Sequence, residues 1–139
     1  MTLRELSKYY RLHERYIKNL DTIKSLSAAA SPGAQVLTGM PHAPGISDKV
    51  GDLAVEIAEL EDRNKSIAGE MEAEAEKLER FIRAIDDDRT RLIYRLRFLR
   101  CLQWNEVAEF IGGHNTAHGV KSACYRYLKS CNAVTHDDA

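Results

Sequence analysis

The sequence predicts an all-α chain: a long antiparallel helical hairpin, or coiled-coil-like arm, over residues 1–86, a helix-turn-helix unit over 87–131, and a flexible tail over 132–139. Three observations carry this. Apolar residues recur at steps of three and four on both sides of one loop, which is helical rather than strand periodicity. Pro32, Pro41 and Pro44 all fall in that loop, so long helices are permitted on either side. Beyond the second helix the periodicity is cut into short pieces by an Asp triplet and a Gly-Gly pair.

The first helix is read from Leu3, Leu6, Tyr9, Tyr10, Tyr16, Ile17, Leu20, Ile23 and Leu26, with Thr2 as its cap and Ala28-Ala29-Ala30 as its fraying end. Residues 31–46, which also hold Gly33, Gly39 and Gly45, are expected to be an irregular connector folded as a cap on the hairpin. Ser47 or Asp48 then starts a second helix whose seam reads Val50, Leu53, Ile57, Leu60, Asn64, Ile67, Met71, Leu78, Ile82 and Ile85. At ~1.5 Å per residue the two helices would be ~39 Å and ~57 Å long and cannot match end to end. The stripe from Asn64 to Ile85 is therefore expected to stay open and to be covered by a second copy of the chain, giving a homodimer. Asn64 is either a register-setting polar residue or an edge position.

Net charge is only −1, but it is unevenly placed. Residues 1–30 carry six basic residues against three acidic, residues 31–86 six against twelve, and residues 87–131 eight against four. A basic unit on an acidic arm suits a polyanion-binding module, although solvated helix faces would look the same.

Within 87–131, Asp86-Asp87-Asp88 ends the long helix and caps the next, which runs to about Arg100. Leu92, Ile93, Leu96 and Leu99 should face inward, and Arg89, Arg91, Arg95, Arg97 and Arg100 largely outward. A two-turn helix from Trp104 to Ile111 is stopped by Gly112-Gly113, and Asn115 or Thr116 caps a last helix ending near Ser130. Spacing at 100° puts Ala117, Val120, Cys124, Tyr127 and Leu128 on a core side. His118, Lys121, Ser122, Tyr125 and Lys129 share the opposite side, where each can donate a hydrogen bond. A short helix, a turn and a polar-faced helix have the layout of a motif that reads the major groove. The candidate contacts to double-stranded DNA are His114, Asn115, Thr116, His118, Lys121, Ser122, Tyr125 and Lys129, with Arg97 and Arg100 beside the phosphates.

The run from Trp104 to Ile111 with its turn and following helix resembles region four of sigma-70-type factors. Val107-Ala108 stands at the small-residue packing position and Val120 at that of the recognition helix, although the turn is longer than the usual sigma type. The whole chain also resembles a family of small phage and prophage proteins related to late-gene transcription activators of the ArpU and RinA kind. The matching stretches are Tyr9-Tyr10, Thr38-Gly39-Met40-Pro41, Ser47-Asp48-Lys49-Val50-Gly51, Arg95-Leu96-Arg97-Phe98, Ile111-Gly112-Gly113, Asn115-Thr116 and Tyr127-Leu128. This resemblance implies phage-linked, sigma-like DNA binding in transcription; RNA polymerase is a further candidate partner. A phage packaging protein of the small-terminase type and a protein-interaction module docking on RNA polymerase are the alternatives.

No P-loop, dinucleotide fingerprint, HExxH or nucleophile with its base is present, so no catalytic residue, cofactor or metal site is assigned. His114 and His118 are four apart, but the Gly-Gly turn places His114 outside a helix. Cys101, Cys124 and Cys131 form no CxxC pair and read as free thiols. With no apolar run of signal or spanning length, a cytoplasmic protein without membrane association is expected.

Overall fold

The structure is a computed structural model that describes residues 1–30 and 44–137, with side chains over 1–30 and 50–132. It is all-helical, as expected: α1 (Leu3–Leu6), α2 (Lys8–Ala29), α3 (Pro44–Arg83), α4 (Asp88–Tyr94) continued by a π-helical turn (Arg95–Leu99), α5 (Trp104–Ile111) and α6 (Ala117–Asp137). No described helix is long and apolar enough to cross a membrane. Most of the connector expected to cap a hairpin, residues 31–43, lies outside the described residues.

Several boundaries differ from the sequence reading for local reasons. Pro44 opens α3, three residues ahead of Ser47, because the fixed φ of proline suits a helix's first turn and its missing N–H is not needed there. Helix α6 continues to Asp137, past the end expected near Ser130 and into the segment read as a tail. Thr2 caps α1 as expected, exchanging bonds with Glu5 in a capping box.

The chain divides into two compact units, Met1–His13 with Met71–Ala139, and Glu14–Glu70. This differs from the division at residue 86 drawn from composition. The reason lies in the core of the first unit, where Leu6, Leu78, Ile82 and Ile85 join Ile93, Tyr94, Phe98, Val107, Val120 and Cys124 in one buried cluster. Tyr94 sits at its middle, with its ring against Phe81, Phe98 and Tyr127 at centroid distances of 5.9, 5.4 and 5.6 Å. Its hydroxyl donates to the Cys124 carbonyl at 2.7 Å. Burial raises the phenol far above its usual range, and burial likewise pushes the Cys124 thiol up to about 11. Both groups are neutral packing elements at any physiological pH.

In the second unit the seam is narrower. Asn64 is buried, accepts a 2.8 Å bond from the Asn19 amide and donates one of 3.2 Å to the Tyr16 carbonyl. Asn64 thus faces another part of the same chain. Ile67, Leu78, Ile82 and Ile85 are likewise covered within one chain. The stripe from Asn64 to Ile85, expected to stay open, is therefore covered, and at Leu78, Ile82 and Ile85 it is the N-terminal segment and the short C-terminal helices that supply the apolar surface.

Candidate functional site

Asp87 caps α4, accepting from both the backbone N–H and the hydroxyl of Thr90 at 2.9 and 2.8 Å. Those bonds, the backbone one first, hold its carboxyl below the usual range. After Tyr94 the helix widens into the π turn, closed by Arg100 N–H to the Arg95 carbonyl at 3.0 Å and Leu102 N–H to the Leu96 carbonyl at 3.1 Å. Tyr94 and Phe98, not assigned to the core from spacing, are buried with Ile93, whereas Leu92 is 42% exposed and corrects the inward position expected of it. Leaving the widened turn costs an uncommon backbone conformation: Cys101 sits at φ 59°, in the left-handed region that side chains with a Cβ disfavour.

The expectation that the arginines point largely outward is corrected for three of the five. Arg95 pairs with Glu79 at 2.6 Å, and Arg91 donates to the Ile85 carbonyl at 2.8 Å and pairs with Asp88. Arg97 donates to the Leu102 carbonyl at 2.9 Å while its guanidinium lies 4.8 Å from the Tyr10 ring and 4.9 Å from the Trp104 ring. Carbonyls left over at the irregular helix end need donors, and a planar guanidinium can satisfy one while lying against aromatic rings. Arg89 and Arg100 are exposed, and Arg89 donates to Asn115.

Helix α5 starts with Glu106 accepting from the Gln103 N–H at 3.1 Å and ends at Gly112 and Gly113, with φ of 77° and 69°. Two consecutive left-handed residues are what glycine permits at low cost, so the pair both stops α5 and swings the chain toward α6. Asn115 braces that turn: its amide donates to the Gly112 carbonyl at 2.6 Å, and its oxygen accepts from Arg89. Thr116, rather than Asn115, caps α6 by accepting from the Gly119 N–H at 3.0 Å.

Along α6, Val120, Cys124 and Leu128 are buried and Ala117 and Tyr127 are half-buried, as the spacing predicts. His118, Lys121, Tyr125 and Lys129 are exposed on the opposite face, and Ser122 is half-buried beside them. His114 is exposed in the turn. Of the ten candidate residues, five share one helix face, three form the turn before it, Arg100 is exposed, and Arg97 is held between rings. Among the described residues no group of three or more His, Cys, Asp or Glu side chains is placed to hold a metal ion.

Sequence reasoning missed a row of rings and cations that ends on this face. The Trp104 ring meets Tyr125 edge-on, at 6.3 Å and 86°, and Lys121 Nζ lies 5.8 Å from the Tyr125 ring. With Arg97 and Tyr10 the row runs from α2 to α6. Tyr10 and Arg97 are 87 positions apart in sequence, so periodicity could not pair them. Comparison with protein-family models, with curated proteins and with solved structures finds no match to this chain.

Proposed function

We propose that this chain is a sequence-specific DNA-binding protein that lays α6 in the major groove of double-stranded DNA, α5 and α6 acting as a helix-turn-helix. The observation that carries this reading is the division of α6 into a buried side, Val120, Cys124 and Leu128, and an exposed side of donors and cations, His118, Lys121, Tyr125 and Lys129. A helix so divided is held by its own core while leaving a polar face of groove-reading size. Its role is transcription regulation of the phage-derived, sigma-like kind that the sequence resembles. The residues 1–86 form a hairpin arm in this reading. Within the first unit, Leu6 packs in the cluster of Leu78 and Ile82 while Lys8 pairs with Glu74 at 3.1 Å, which suits helices running in opposite directions.

The deciding experiment is selection of DNA fragments by the purified full chain at defined salt, followed by titration of the selected duplex and a random one. Lys121→Ala should weaken the selected duplex by ~1–3 kcal/mol and relax preference at one base position. Arg100→Ala should weaken both duplexes alike and lower the salt slope by about one unit. Unchanged affinity and slope in both variants, with helicity intact, would remove the assignment.

A second reading has one observation in its favour. Glu56, Glu59, Glu61, Glu70, Glu72 and Glu76 are all exposed on α3, which suits docking of a basic surface on a protein partner such as RNA polymerase. In that case the purified chain shows no salt-dependent DNA affinity.

A further inference from the structure

We propose that Arg97 is a positioning residue for the DNA-facing side of α6, acting through Trp104 on Tyr125 and Lys121, and not a phosphate contact. This rests on the DNA-binding reading above.

The geometry supplies both halves of the argument. On one side, Arg97 is already engaged: its guanidinium faces the rings of Tyr10 and Trp104 at 4.8 and 4.9 Å, and its Nη1 donates to the Leu102 carbonyl at 2.9 Å. A half-buried cation committed in this way would have to break the stack and orphan a carbonyl to reach a phosphate. On the other side, the stack leads to the candidate groove face. Trp104 is the first residue of α5, Tyr125 stands edge-on to it, and Lys121 lies beside Tyr125, one helical turn earlier on α6.

The segment that Arg97 fixes is also the least self-sufficient in this unit. Between the π turn and α5 lie only residues 100–103, with Cys101 in a left-handed conformation. Leu102 is held through both of its backbone polar groups, its N–H by the Leu96 carbonyl and its own carbonyl by Arg97. Arg97 therefore sets where α5 begins, and with it the placement of the Trp104 ring against which Tyr125 rests. Lysine cannot replace it: an ammonium keeps the charge but has no plane to lie against two rings while donating in that plane.

The test uses the full-length chain, the selected duplex and a random duplex, each titrated over a range of salt concentrations. Arg97→Lys and Arg97→Met should both cut the ratio of selected to random affinity about tenfold, and both should leave the salt slope as in the wild type because no phosphate contact is lost. Lys121→Ala, costly in the wild type, should cost little in the Arg97→Lys background, because a side chain already misplaced has less to lose. Tyr10→Leu removes the far ring, which the proposal keeps away from DNA. It should reproduce the loss of selectivity with Arg97 still present, and it serves as the test if either Arg97 variant fails to fold. Two results would overturn the proposal. Full binding by Arg97→Lys, with a slope lowered by about one unit in Arg97→Met, would make Arg97 a phosphate contact; wild-type selectivity in all three variants would leave it without a role. If the wild-type chain shows no salt-dependent binding to either duplex, the DNA reading itself fails and takes this proposal with it.

Discussion

The two units of the chain are both built from helices, yet they are held together differently. In the unit of residues 1–13 and 71–139, buried apolar side chains from α1, α3, α4, α5, α6 and the π turn converge on Tyr94, whose hydroxyl is satisfied by the Cys124 carbonyl. In the unit of residues 14–70 the buried described residues are Ile67 and a hydrogen-bonded Asn64, while Ile17, Leu20 and Val55 remain 43%, 41% and 65% exposed. A converging core gains from many apolar contacts at once. A two-helix seam offers each side chain fewer neighbours, so polar pairs decide its register. Stability and specificity are therefore separated along the sequence.

The largest effect expected from this difference is in the core. Ile82→Ala should cost about 4 kcal/mol, because Ile82 is fully buried and the surrounding helices cannot all close on the cavity. Leu60→Ala, at a half-buried seam position, should cost about half as much. Chemical denaturation of the two variants measures the contrast directly, and equal losses would erase it.

Next in size is the polar pair of the seam. Asn64→Ala leaves the Asn19 amide without its acceptor and removes the second bond to the helical Tyr16 carbonyl, and should cost about 2 kcal/mol. Replacing both Asn19 and Asn64 by Leu should instead leave stability equal or higher while loosening register, so that light scattering detects species larger than the monomer. If the wild-type chain itself scatters as a dimer, the pair is not what limits association, and the homodimer expected from the sequence must rest on a surface other than the stripe from Asn64 to Ile85.

A smaller effect depends on pH. Glu74 is buried at the α3 seam, and although burial opposes its charge, Lys8 at 3.1 Å and Lys77 at 3.5 Å hold its carboxyl below the ordinary value of 4.5. Because the folded value is the lower one, the stabilisation is complete above the unfolded value and disappears as pH falls through the folded one. Glu74→Gln should therefore destabilise the chain by about 1–2 kcal/mol near neutrality, and the difference from wild type should vanish in acid. A gap that persists unchanged at low pH would show that shape rather than charge holds this position.

The smallest expected change is a gain. Cys101→Gly relieves the left-handed φ of 59° and should stabilise the first unit by about 1 kcal/mol. A loss instead would mean that the Cys101 side chain contributes more by its contacts than its backbone conformation costs.

Local signals in the sequence were sufficient for several elements. The seam of α3, the Thr2 and Asp87 caps, the Gly112-Gly113 stop and the inward side of α6 all follow from steps of three and four residues or from the chemistry of a single turn, and the structure has them where spacing puts them. What spacing could not supply was whatever joins distant parts of the chain. The N-terminal segment, the end of α3 and α6 close on Tyr94 and Phe98, so these enter the core while Leu92 stays exposed. Glu74 reads as one more acidic residue until Lys8 is brought to it, and Asn64 reads as an ambiguous polar seam position until Asn19 meets it. Arg97 reads as a free cation until Tyr10 and Trp104 close around it. The physical reason is common to the last three. Periodicity records which side of a helix is apolar, a property of neighbouring residues, whereas the partner of a buried polar or charged group is chosen by tertiary packing, which must satisfy every donor and acceptor it removes from water.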